Sequence, residues 1–502
     1  MKHFQRRTFK HYLILSLLVI MLILASACAD KEDNIPDKPS DDVTEQAVVE
    51  NPEQLWTVKH ENELISLAIS ADGNVAIGEN RTVYCHRIAD GLLDEVYVYQ
   101  NMTDDLAFSP DGALLGVGFD MDGIWLTDTA NGNKLRELHN GFSSSRVAFS
   151  SGGQMATGNS DGKVRLWDIK SGEQLAALEM PSTDWITSLT YDQSGKLLAA
   201  SQWTDKGTVT IWDIESKEVV HSITLNNYLG GIRDPFQFSP DGKIMAAAIK
   251  EEYKHLVRLW MSGAASPLAD LSIPDGYRDM DFSPDSSLLA VASLKAVTIW
   301  DVSTHTLLYT LDQTFSDDDT DTIVELAFTP DSRHLAVARK DGRLDLWRLP
   351  GAEPFEAVSE MRMPNSLPSD AMFGLGSSQL KGEAALRLEA FAKKLTFNYS
   401  KCSIKFVGHT DSSGTAEENL RLSKERAEAV RSWFENWANK NGAVDWTFSA
   451  DGRGESELII PDTDANGAYI KDAAAINRRI GIEVESATAK VVNLADNQPA
   501  GE

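Results

Sequence analysis

Between residues 54 and 350, apolar and polar positions alternate in short runs, and the runs themselves recur. The fullest copy goes from Val147-Ala148-Phe149-Ser150 through Ser160-Asp161-Gly162 to Lys163-Val164-Arg165-Leu166-Trp167-Asp168. A period of two predicts strands, and Asp-Gly or Ser-Pro-Asp-Gly between them predicts tight turns. The opening returns at Phe108-Ser109-Pro110-Asp111-Gly112, Phe238-Ser239-Pro240-Asp241-Gly242, Phe282-Ser283-Pro284-Asp285 and Phe328-Thr329-Pro330-Asp331. The ending returns at Ile211-Trp212, Leu259-Trp260, Ile299-Trp300 and Leu346-Trp347, and two weaker copies put His86 and Thr127 in the tryptophan slot. The slot is thus filled seven times, at a spacing of roughly 40 to 47 residues. Outer runs follow six of the units, at 95–100, 134–139, 174–179, 218–225, 268–273 and 307–312. The seventh lacks one, but 54–58 precedes the first unit. That segment is expected to complete the last sheet and remove its open edge.

Beyond a linker at 351–368 that holds Pro354, Pro364 and Pro368, the period changes. A strand is expected near 370–373, then a helix at 382–395 that buries Leu388, Phe391, Ala392 and Leu395. A strand at 403–407 leads through a loop into a helix at 419–439. Its stripe is Leu422, Ala429, Val430, Trp433, Phe434 and Trp437. A strand at 446–450, a loop through Ala474 and a last strand at 480–485 complete an α+β layer, placed at 369–486, with a loose tail at 487–502.

The N-terminus reads as a targeting segment. Lys2, Arg6, Arg7 and Lys10 precede an apolar run at 13–24, too short for a comfortable membrane span. Ala25-Ser26-Ala27-Cys28 follows. This resembles a bacterial lipoprotein signal, with 1–27 removed and Cys28 lipidated; ordinary signal cleavage leaving a free Cys28 is the alternative. Residues 28–53 are polar and proline-bearing, a disordered stalk reaching on the order of 80 Å at full extension.

The formal charge of −28 over 502 residues argues against nucleic acid and against adsorption on anionic lipid. Of three cysteines, Cys85 and Cys402 sit in strand-like runs and are expected to be buried, so no disulfide framework is indicated. No His/Cys cluster has metal-ligand spacing, and the repeat region at 54–350 offers no paired nucleophile and base; no cofactor is implied. The acidic run Asp317-Asp318-Asp319 with Asp321 is either solvated or meets a basic partner or a cation.

The sharpest chemistry lies between 408 and 426. Gly408-His409-Thr410-Asp411 ends a strand, and Asn419, Leu422, Ser423 and Arg426 recur at i, i+3, i+4 and i+7 on the following helix. Arg426 is therefore turned toward the side where Asp411 lies. A guanidinium near an apolar face needs a partner. That partner is either Asp411 itself, as a structural ion pair, or a ligand.

These residues, with Gly452-Arg453-Gly454-Glu455 and Asn477-Arg478-Arg479, resemble the OmpA-like peptidoglycan-binding domain of the peptidoglycan-associated lipoproteins. The resemblance implies that Asp411 and Arg426 hold the amino-acid end of diaminopimelate in the peptidoglycan stem peptide. Ser413, Asn419 and Arg478 are implied as further contacts. One departure is that Phe373 is followed by Gly374-Leu375-Gly376, where the family has an acidic or amide residue, which is expected to weaken one pocket wall.

The repeats at 54–350 resemble WD-repeat β-propellers. The expectation is a multidomain chain, an all-β seven-bladed propeller followed by an α+β OmpA-like domain. By that reading it is a non-enzymatic lipoprotein of the outer membrane that faces the periplasm. Peptidoglycan, the membrane through the lipid and envelope proteins through the propeller are its expected partners. A wall-tethered propeller hydrolase or lyase, or an envelope sensor or assembly factor, are the alternatives.

Overall fold

A computed structural model describes residues 51–489, except 120–122, 131, 139–143, 203, 205–206, 225–234, 252–253, 265, 275, 295, 312–321, 353–365, 383, 444 and 465–467. The expected signal, Cys28, the stalk up to residue 50, most of the linker, the acidic run at 317–321 and the end of the tail lie outside the described residues.

Seven four-stranded antiparallel sheets follow one another among the described residues, two of them bridged into one eight-stranded sheet by the single pair Ser144–Phe119. Their first strands pack against one another in sequence, and Ile323–Phe328 of the last packs against Ser66–Ile69 of the first, so the ring closes. The last sheet contains Ile323–Phe328, His334–Arg339 and Arg343–Arg348, and its fourth strand is Glu53–Lys59, antiparallel to Arg343–Arg348. The N-terminal strand thus completes the last blade as expected. Asp345 holds it: Gln54 Nε2 and Thr57 Oγ1 donate to Asp345 Oδ1 at 2.9 and 2.6 Å.

Carboxylates on the inner strands stitch neighbouring blades. Asp105 accepts from the Val147 amide at 2.8 Å, Asp279 from Leu326 and Asp281 from Phe328 at 2.8 Å each, and Glu325 from Leu67 at 2.7 Å across the closure. The turn chemistry is equally regular. Ser109 Oγ donates to Asp111 at 2.6 Å while accepting the Leu114 amide at 2.9 Å, and Ser239 and Ser283 repeat both bonds.

Alternation along the third strands sorts side chains between two neighbouring blades. In Lys163–Asp168, Val164 and Leu166 pack with Ile186 and Leu198 of the following blade. Trp167 packs with Ile124 and Leu126 of the preceding one. The polar residue between them is buried too: Arg165 is 8% exposed and forks Asp161 at 3.0 and 2.6 Å.

The C-terminal sheet has the order Ser366–Pro368, Arg479–Ala489, Tyr399–His409, Thr447–Gly454, with only the last pair parallel. Among the described residues four helices accompany it: α1 (Ser369–Met372), α2 (Ala384–Asn398), α3 (Ala416–Lys440) and α4 (Lys471–Asn477). Leu388, Phe391, Leu395, Phe406, Val430 and Phe434 form the core between helices and sheet. Cys85 and Cys402 are free and buried.

Three expectations fail locally. Residues 369–372 form a helical turn and Phe373 is its extended cap: Pro368 fixes φ at −63° and the Phe373 amide reaches the Ser369 carbonyl at 2.8 Å, so the strand is the three residues before the turn. The loop through Ala474 contains α4. The last strand continues into the expected tail, where Ala489 pairs with Tyr399.

Helix α2 covers the outer strand of the first blade, Leu93–Val98. Asn398 donates to the Leu93 carbonyl at 2.9 Å and accepts its amide at 3.3 Å. Lys394, 2% exposed, faces Glu95 at 3.3 Å. The ring of Phe397 lies 5.1–5.2 Å from those of His60 and His86. Outer strands such as Gln174–Glu179 are largely exposed, whereas Leu93 is fully buried.

Candidate functional site

The site forms where α3 is pressed onto two strand ends, and glycine makes that approach possible. A Cβ at Gly408 would lie 1.9 Å from the Ser423 carbonyl oxygen, and one at Gly452 would lie 2.6 Å from the Lys424 nitrogen. Gly454, at φ 55°, donates its amide to Ser423 Oγ at 2.9 Å. The helix opens on Thr415, whose hydroxyl accepts the Glu418 amide at 3.2 Å. Asn419, Ser423 and Arg426 are thereby turned inward, all at most 5% exposed.

Asp411, also 5% exposed, has both oxygens occupied. Oδ1 accepts from the Ser413 amide at 2.9 Å and from its hydroxyl; Oδ2 accepts from Tyr469 Oη at 2.8 Å and Arg478 Nη1 at 2.5 Å. Burial alone would raise the Asp411 pKa, but the donors Ser413, Arg478 and Tyr469 outweigh it and hold the carboxyl below the usual range. Arg478 also forks Asp370 at 2.8 and 2.6 Å, and its pKa is raised by these carboxylates.

Arg426 does not bond Asp411. Its Nε donates to the Ser377 carbonyl at 2.9 Å and Nη2 to the Gly374 carbonyl at 3.2 Å, with the guanidinium 5.3 Å from the Phe373 ring centre. Among the described residues it meets carbonyls and no carboxylate. Burial lowers its pKa from the ordinary arginine value, and Asp370 and Asp411 act against that through space. Within the Gly374-Leu375-Gly376 departure, Gly374 supplies one of the two carbonyls that Arg426 meets, while Leu375 stands fully exposed.

Asn419 closes the loop from the other side. Its Nδ2 donates to the Ser413 carbonyl at 2.9 Å and to Glu455 Oε2 at 2.5 Å. Asn477 ties 459–462 together: its Oδ1 accepts the Ile459 amide at 2.8 Å and its Nδ2 donates to the Ile460 carbonyl at 2.8 Å. Asp462 accepts from the Ser412 amide and hydroxyl at 2.8 and 2.6 Å. His409 is neutral near pH 7, since burial pushes it down to about 4.

Asp411, Ser413, Asn419 and Arg478 are thus brought into one bonded cluster, and Arg426 lies beside it, bonded to the Ser377 and Gly374 carbonyls rather than to Asp411. Asp370, Tyr469, Asp462 and Asn477 were not anticipated in these roles. Only the Asn477-Arg478-Arg479 run carried a signal; the others act through contacts 50 or more residues apart, such as Ser412 with Asp462 and Asp411 with Tyr469. Cys28 lies outside the described residues. Among the described residues no group of three or more His, Cys, Asp or Glu is placed to hold a metal, and no helix is long and apolar enough to cross a membrane.

The fold and site define a class: a closed propeller joined to an α+β domain that carries a buried carboxylate–guanidinium site. Comparison with known proteins gives this class its families. Residues 372–471 match the OmpA family, and 133–168 and 172–213 match the WD domain, G-beta repeat. The chain is 33% identical over 117 residues to Outer membrane porin F of Pseudomonas aeruginosa, covering 23% of this chain and 31% of that protein. It is 31% identical over 125 residues to Photosystem I P700 chlorophyll a apoprotein A2 of Gloeobacter violaceus, covering 25% and 14%. A chain from the Crystal Structure of Mitotic Checkpoint Complex superposes with a TM-score of 0.50 at 19% identity, over 64% of this chain and 98% of that one, which speaks to the fold alone. The chain spans 14–38% of the length of the curated relatives it matches.

Proposed function

We propose that this chain is a non-enzymatic cell-envelope lipoprotein. Its C-terminal domain, at 369–486, would bind peptidoglycan non-covalently, and its propeller, at 54–350, would dock other envelope proteins. The observation that carries this reading is the state of Arg426: buried, charged, bonded to two carbonyls and not spent on Asp411. An amino-acid ligand end brings one ammonium and one carboxylate. Asp411 is the acceptor for the first, and Arg426 is the fork for the second. The OmpA-family match and the envelope protein among the relatives support the same assignment, and WD repeats are a binding platform by type.

The test is co-sedimentation of the full chain with purified peptidoglycan. Asp411→Ala and Arg426→Lys should each lose pelleting at a temperature where circular dichroism shows them still folded, below a lowered melt; pelleting at the wild-type level would refute the clamp. Lipidation is tested separately, by whether Cys28→Ser releases the protein from membranes.

A further inference from the structure

We propose that the cleft between the propeller and the C-terminal domain is a second binding site, and that it takes a short uncharged oligosaccharide. The cleft has a volume of about 670 Å³, within the range of ligand-binding clefts. Its propeller wall is built by His60, Asn62, Glu79 and Tyr84, and its opposite wall by the end of α2 and the C-terminal end of α3.

The buried charges leave no vacancy for an ionic ligand in the depth of the cleft. Glu79 is 4% exposed and already meets His60 Nδ1 at 3.2 Å and the Asn62 amide. Lys393 donates to Thr82 Oγ1 at 2.8 Å and has Glu389 at 3.8 Å. Each charge buried in these walls is answered within the protein, and Lys59 at the edge has Asp341 at 3.4 Å, so a charged guest in the depth of the cleft would have to break a standing pair; Glu61 stands exposed at the rim.

Ring surface and amides remain. Trp437 and Tyr399 are half-buried and Trp446 is 9% exposed, all three lining the cleft. Asn62 and Asn441 are exposed at its rim. Aromatic faces accept the C–H-rich face of a sugar ring, and planar amides pair with adjacent hydroxyls as donor and acceptor together. A neutral ligand with one apolar face and a polar perimeter satisfies both. The identification of its source as the wall glycan rests on the wall-binding reading above; the site chemistry does not.

The experiment is calorimetric titration of the full chain with chito-oligosaccharide, the N-acetylated β-linked glycan without any stem peptide, and with cello-oligosaccharide. The expected result is binding of the chito-oligosaccharide, weakened at least about tenfold in Trp437→Ala and weakened in Asn62→Ala, whose melt is read alongside because Asn62 also donates to Glu79. Asp411→Ala should keep glycan binding and lose binding of a free stem peptide that carries no glycan, which separates failure of the clamp from failure of the cleft. No binding of either sugar at millimolar concentration, binding of the cello-oligosaccharide alone, or unchanged affinity in both cleft variants would overturn the proposal.

Discussion

Replacing Gly408 by alanine should pry α3 from the sheet and disable the site without touching any polar group in it. The added Cβ would sit 1.9 Å from the Ser423 carbonyl oxygen, against the 3.4 Å at which ordinary contact begins, so helix and strand must part by about 1.5 Å. The obstructing atoms are backbone, which cannot swing aside as a side-chain tip does. Overpacking of this kind costs about 3 kcal/mol, the upper end of the usual range. The same separation stretches the 2.9 Å bond from the Gly454 amide to Ser423, adding about 1 kcal/mol. At about 1.4 kcal/mol per factor of ten, amides in α3 should exchange with solvent roughly 100- to 1,000-fold faster. Hydrogen exchange read by mass spectrometry on peptides from 416–440 measures this directly, and propeller peptides serve as the internal reference. Gly442→Ala is the control: its φ is positive, at 74°, unlike that of Gly408, but nothing lies within 4 Å of its Cβ, so it should cost only about 1–2 kcal/mol and act locally. Exchange in α3 within threefold of wild type in Gly408→Ala would refute the claim that glycine sets the helix position.

Asn398→Ala removes both bonds to Leu93 and should destabilise the outer strand of the first blade by about 2–3 kcal/mol, seen as faster exchange in Leu93–Val98 and unchanged exchange in Gln174–Glu179. Asp345→Ala takes away the carboxylate that pins the closing strand and lies 2.9 Å from Arg339, an ion-pair contact that lacks hydrogen-bond geometry. It should cost about 3–5 kcal/mol and lower the melting temperature of the propeller. His86, fully buried with Nε2 3.1 Å from His60 Nε2, is pushed by burial down to about 3. The unfolded chain therefore binds a proton below about pH 6.5 that the folded chain refuses, so stability is complete above that pH and falls by about 2–3 kcal/mol by pH 4.5. A melt that holds steady from pH 7 to 4.5 would contradict this. Tyr469→Phe deletes one of four donors to Asp411 and, on the proposed wall-binding reading, should tighten stem-peptide binding about two- to tenfold by titration; weaker binding would mean that Tyr469 contacts the ligand instead.

What could be read in the sequence was whatever repeats or lies on one helix face. The tryptophan slots and Ser-Pro-Asp turns carry their own geometry, and counting outer runs sufficed to assign 54–58 to the last blade. The face of α3 could be read from spacing, so Arg426 was placed on the buried side. Its partners could not, because they are backbone oxygens from a loop about 50 residues away, and carbonyls leave no trace in residue identity. Helix α4 escaped for a related reason: its buried positions are Ala473, Ala474 and Asn477, which give no apolar stripe. Helix α2 runs past Leu395 to Asn398 because Asn398 and Lys394 find partners on the first blade. Two polar residues in the last turn of an amphipathic helix otherwise read as solvated.

The state of Asp411 constrains how any ammonium can be recognised. A carboxylate offers about four acceptor positions, and here four donor atoms already fill them. Binding must therefore be an exchange, in which a ligand ammonium replaces a donor rather than joining the set. The two Ser413 donors are local to the loop and hold its shape. Arg478 is the charged competitor, but it keeps Asp370 when it lets go, so its release does not strand a buried guanidinium. Arg426 needs no such exchange, since a carbonyl neutralises none of its charge, and an arriving carboxylate completes what burial left unanswered. Recognition on this geometry depends on both ligand charges arriving together: the carboxylate fills a deficit at Arg426, and that gain offsets the displacement at Asp411. A ligand with the ammonium alone would face the displacement with no such compensation, which is a physical basis for selecting a free amino-acid end over a simple amine.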